Sequence, residues 1–210
     1  MTTTIDTDRT IAGTGAMLAT AGAVGWFVLG GDSLARPGVH EYRDALFVLP
    51  LVLYAATLAC IHHLQRDRAG RLERWAFRVV MVTVVLIAAA NVTLVLGSEA
   101  LEVLSFPLGA LAWMLGMAAL GAGTIRAGVF PQRVGWAIAL AQPLTIALAI
   151  PLALLGWELE DRGSYTGVLV HGAVMLILAA ALRDASRPGQ PIRAQSTGDR
   201  TTKQATASAR

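Results

Sequence analysis

Apolar residues run along this chain in six long blocks separated by short polar connections. The blocks are Ile11–Gly31, Ala45–Leu64, Ala76–Gly97, Val103–Gly123, Val134–Trp157 and Tyr165–Leu182. A helix needs roughly 20 apolar residues to cross a hydrocarbon core about 30 Å thick, and every block meets that length or comes close. Strands of a membrane barrel are about 10 residues long and alternate in polarity, so uninterrupted runs exclude them. Lipid offers the backbone no hydrogen-bond partner, which obliges each run to be helical. The pattern predicts an all-α, polytopic transmembrane helical bundle of six spans over residues 11–183. A polar lead at 1–10 precedes it. A polar, basic tail at 184–210 follows, with too little apolar area to offset the entropy of folding, and is expected to be disordered. The first block is longer than the apolar core of a signal peptide and has only Arg9 before it as positive charge, so it reads as a span.

Composition agrees with the pattern. Of the 210 residues, 55% are hydrophobic and 15% charged, with a mean hydropathy of +0.57. A soluble domain carries about 25% charged residues; this chain could not cover a water-facing surface in the usual way. The single Cys60 permits no internal disulfide and no cysteine metal cluster.

Sorting charges by connection adds an orientation. Lys and Arg collect on the cytoplasmic side of inner-membrane proteins. With both termini cytoplasmic, 14 of the 17 basic residues fall inside, and only Arg36, Arg43 and Arg162 fall outside. The formal +3 then divides into +8 inside and −5 outside. A basic pI near 9.6 thus reflects topology and contacts with anionic lipid headgroups, and nucleic acid is not an expected partner. The expected location is the inner (cytoplasmic) membrane. Beyond the bilayer and those headgroups, a homo-oligomer or another membrane protein is the partner class left open.

Small residues recur along two spans, at Gly15, Ala19 and Gly22 in the first and at Gly109, Ala112, Gly116, Ala119 and Gly123 in the fourth. Such stripes let helix backbones approach in lipid, and intramolecular packing is the expected use. Pro143 and Pro151 should kink the fifth span.

Polar groups at membrane depth are costly and are functional candidates for that reason. Asn91 and His171 lie about two turns from the outer ends of the third and sixth spans. They could line a polar path beneath an acidic mouth of Glu99, Glu102, Glu158, Glu160 and Asp161, or simply hydrogen-bond helix to helix. Gln142, beside Pro143, is the third candidate and is suited to a carbonyl freed by the proline. His62 and His63 end the second span, where an interfacial position is expected. Adjacent helical residues point about 100° apart, so they do not suit one metal, and a bis-histidine haem would need histidines at matched depth on separate helices. No catalytic residue, metal site or cofactor is indicated.

The connector Arg126-Ala127-Gly128-Val129-Phe130-Pro131-Gln132-Arg133-Val134-Gly135-Trp136 resembles one found in uncharacterised small multi-pass bacterial inner-membrane proteins, as an Arg-x-Gly-Val-x-Pro motif. The resemblance implies a helical bundle in the inner membrane and carries no catalytic residue. The reading is an integral membrane protein without an assignable enzymatic site, a structural or regulatory membrane partner. A small-molecule or ion transporter, oligomeric in form, is the alternative. A membrane-embedded enzyme ranks last.

Overall fold

The computed structural model describes residues 2–36, 38, 40, 42–96, 101, 108–154 and 165–188. Among them six long helices follow one another: α1 (Thr2–Ala35), α2 (Tyr42–Gln65), α3 (Arg71–Val95), α4 (Leu108–Ala127), α5 (Gln132–Leu154) and α6 (Leu169–Ser186). A single 3₁₀ turn, Thr166–Val168, leads into α6. No strand occurs among the described residues. All six helices contain a segment long and apolar enough to cross a membrane.

Helix ends differ from the apolar blocks where polar residues find partners. α1 takes in most of the polar lead and would extend about 50 Å, more than the hydrocarbon core needs. Asp8 in its added turns lies 3.8 Å from His63 of α2. α3 begins at Arg71, one turn before its apolar block, and so brings Glu73 into the helix. α4 continues to Ala127, where Gly128 adopts φ +62°. Its N–H bonds the Thr124 carbonyl at 3.3 Å, a left-handed helix stop that glycine supplies without steric cost. Pro131 then opens α5, its carbonyl accepting from Val134 N–H at 2.9 Å. The connector is therefore a tight helix-to-helix turn.

The helices form a closed ring. Each packs on its neighbour in the chain, and α6 closes the circle against α1 in the most extensive of these contacts. Inward faces follow helical spacing: Leu51, Tyr54, Leu58 and Ile61 on α2, Ala76, Val80, Thr83, Val84 and Ile87 on α3. Outward faces carry exposed Val82, Val85, Leu115, Leu144 and Ile150, as suits contact with lipid. α1 through α4 and α6 bury a continuous core with part of α5.

The small-residue stripes pack within the molecule. A Cβ on Gly15 would meet Cys60 at 2.9 Å, and one on Gly22 would meet Met175 at 2.4 Å. On α4, Gly116 abuts Val80 of α3. The closest crossing is between α4 and α5, where a Cβ on Gly121 would lie 2.4 Å from the Gly135 carbonyl oxygen.

Candidate functional site

The connections between α2 and α3 and between α4 and α5, together with the start of α1 and the end of α6, lie at one end of the ring. This is its Arg-rich end. One helical turn inside it, three helices bring four polar side chains together. Glu73 of α3 has a fully buried side chain. Its Oε1 is 2.7 Å from His62 Nδ1 and accepts from Gln65 Nε2 at 2.8 Å, both on α2. The same Gln65 Nε2 reaches Thr124 Oγ1 of α4 at 3.2 Å. Glu73 Oε2 and Gln65 Oε1 are also buried and have no hydrogen-bond partner.

Local sequence explains this placement. Glu73 is three residues before Ala76 and seven before Val80, so it extends the inward stripe of α3 by one turn. Gln65 follows Leu58 and Ile61 on α2 in the same way, and Thr124 follows Met117 and Leu120 on α4. Gly123 leaves room for the glutamate: a Cβ there would lie 2.5 Å from Glu73 Cβ and 2.8 Å from its Cα. His62 stacks on Phe77 with ring centroids 4.0 Å apart and planes 6° from parallel. Its side chain retains 24% exposure, so it alone joins the buried carboxylate to the outside. Arg71, Arg74 and Arg78 on α3 are exposed.

A second polar group occupies the middle of the ring. His171 is buried on α6, with its ring centroid 5.2 Å from Trp26 of α1, 5.6 Å from Tyr54 of α2 and 6.4 Å from Trp113 of α4. Tyr54 and Trp113 also meet each other edge-on at 5.6 Å. Four helices thus contribute one plug of rings. Trp26 Nε1, Tyr54 Oη and His171 Nδ1 are buried within it without hydrogen-bond partners.

The other sequence candidates are distributed differently. Asn91 is buried on α3 and donates to the Ile87 carbonyl of its own helix at 2.8 Å, whereas His171 is held by aromatic rings. Gln142 is half-buried on α5; nearby, Thr145 donates its hydroxyl to the Ala141 carbonyl at 2.8 Å. The acidic mouth, Glu99, Glu102, Glu158, Glu160 and Asp161, lies outside the described residues.

At the far end of the ring the polar contacts form a clasp. Arg43, with no exposed surface, pairs with Asp32 at 2.9 Å and donates to the carbonyls of Asp32, Arg36 and Gly38. It thereby caps the last turn of α1 from the first turn of α2. Tyr165 hydrogen-bonds Asp44, and its N–H donates to Ser33 Oγ at 2.9 Å. Start of α6, end of α1 and start of α2 are tied together.

In the sequence reading Glu73 counted only toward the net charge of the inner side and His62 was interfacial; their meeting with Gln65 and Thr124 was missed. The available signal was the register of three inward stripes, each extended by one turn. No family model, curated protein or solved structure matches the chain, so its function rests on its own residues.

Proposed function

We propose that this chain is a structural or regulatory membrane partner with a sealed interior, seated in the inner membrane with both termini and the Arg-rich end cytoplasmic. The observation that carries the reading is the plug of Trp26, Tyr54, Trp113 and His171 rings across the centre of the helix ring. A transport pathway needs polar surface continuous through the bundle, and the contact among these rings supports a reading without one. The division of charge supports the orientation, since 14 of 17 basic residues belong to the Arg-rich connections, the chain's start and its tail. The connector resemblance agrees with an inner-membrane location, and anionic headgroups are the natural contacts of its arginines.

Reconstituted in liposomes, the wild-type protein should pass protons, sodium and potassium no faster than protein-free vesicles. Saturable flux would refute the sealed interior and establish the transporter alternative. One observation favours that alternative: polar atoms without partners, from different helices, lie inside the ring at two depths. Orientation has its own test. Reporters active only outside the cytoplasm should work when fused after Ala100 or Asp161 and fail after Arg71; activity in the last fusion would invert the topology.

A further inference from the structure

We propose that Glu73, His62, Gln65 and Thr124 form a binding site for one small monovalent cation, a proton or a sodium ion, loaded from the Arg-rich end. Such a site does not depend on whether the ring's centre is sealed. Glu73 has no exposed side-chain surface, and an ionised carboxylate so placed requires a positive partner. The ionisable group facing it from α2 is His62; α4 presents the Thr124 hydroxyl and the close backbone of Gly123. On its own helix, the neighbouring arginines are exposed. Farther along α2, Arg66 is turned to His63.

Hydrogen bonding points the same way. Oε1 of Glu73 already receives two contacts, from His62 and Gln65. What is left over in the cluster is two buried acceptors on two different helices, Glu73 Oε2 and Gln65 Oε1. The Thr124 hydroxyl proton can serve only one of them, and the other is left for a proton or a hard cation. Rotating the Gln65 amide would not remedy this, because its NH₂ is already engaged with Glu73 and Thr124.

The donor set limits the ligand further. One carboxylate, one amide oxygen and one hydroxyl are hard ligands with a single negative charge, short of the six to eight oxygens that calcium takes. Among the described residues no group of three or more His, Cys, Asp and Glu is placed to hold a metal ion, so a transition metal does not fit. His62 supplies the route. It contacts the buried carboxylate through Nδ1 and keeps part of its ring exposed, so a proton taken up outside can reach Glu73 across one hydrogen bond.

The test uses the full chain in liposomes and dicyclohexylcarbodiimide, a membrane-soluble reagent that modifies protonated carboxyl groups. Mass spectrometry reads the adduct on Glu73, with rates corrected for hydrolysis of the reagent. Labelling is compared between about pH 4 and about pH 8, a range that spans the ordinary carboxylate and imidazole pKa values. At each pH, sodium chloride is compared with choline chloride at equal ionic strength. Glu73 should be modified, and less so at the higher pH. If sodium protects it relative to choline, sodium competes with the proton for the site; if the two salts act alike, the proton is the ligand. Absence of labelling at Glu73, or labelling insensitive to both pH and sodium, overturns the proposal. Thermal unfolding gives a second readout: a shift of Tm with pH or sodium in the wild type should be lost in Glu73→Gln. A shift that persists undiminished in that variant also overturns it.

Discussion

Replacing Gly121 with alanine is a sharp test of the ring's closure. The added Cβ would stand 2.4 Å from the Gly135 carbonyl oxygen, 2.6 Å from the Ala139 nitrogen and 2.7 Å from the Ala139 Cβ. Non-bonded heavy atoms sit comfortably at about 3.5–4.0 Å, so α5 would have to withdraw by roughly 1 Å at the crossing. Two of the three obstructing atoms belong to the α5 backbone, and no rotamer change relieves them. Overpacking of this kind costs about 1–3 kcal/mol. Alanine returns about 1 kcal/mol of helix propensity, leaving a net loss of up to about 2 kcal/mol. Gly31→Ala is the control, because nothing lies within 4 Å of a Cβ at that position; it should be neutral or slightly stabilising. Unfolding in mixed micelles, followed by circular dichroism as the share of sodium dodecyl sulfate rises, measures both. If Gly121→Ala is as stable as Gly31→Ala, the backbones of α4 and α5 do not cross as closely as described.

Three further outcomes follow from other contacts. Arg43→Leu should lose stability in the same assay, since it removes the ion pair to Asp32 and the side-chain donor to three carbonyls, leaving Tyr42 and Arg36 on Asp32. Arg43→Lys should recover only part of it, because an ammonium cannot reproduce the planar fork; full recovery by lysine would contradict the clasp. Tyr165→Phe should cost about 1 kcal/mol through its lost bond to Asp44, and Asp44→Asn should reduce the effect of a second change at Tyr165 in a double-mutant cycle. His171→Phe should leave stability unchanged or raise it by about 1 kcal/mol, because an apolar ring replaces a buried nitrogen without a partner. A large destabilisation there would mean that His171 makes a polar contact essential to the plug.

How much of this was legible beforehand depended on the range of the interaction concerned. The six long apolar helices were visible because length and hydropathy are properties of each segment separately. Gly15, Gly22, Gly116 and Gly123 were legible as packing faces, for small residues at helical spacing need no knowledge of the partner. His171 and Asn91 shared a depth, yet depth is a local property and facing is not: one joined a cage of rings, and the other bonded its own helix. Glu73 was the informative miss. Read by loop composition it was one more charge in a basic connector, but read by the register of Ala76, Val80 and Thr83 it continued the inward stripe. Helix starts are set by capping and neighbours as well as by hydropathy, and the extra turn of α3 carried the carboxylate inside.

The sequence by itself determined six helices long and apolar enough to cross a membrane, and its charge division is the basis of the proposed orientation. Both follow from transfer of single segments between water and lipid, a sum over residues that needs no contacts between helices. Only the tertiary structure decided that the helices close into a ring, that four rings meet at its centre, and that Glu73, His62, Gln65 and Thr124 converge at its Arg-rich end. Those depend on which faces of separate helices come together, and lipid, equally apolar on all sides, does not dictate the choice. Close contact at small residues and the pairing of buried polar atoms do.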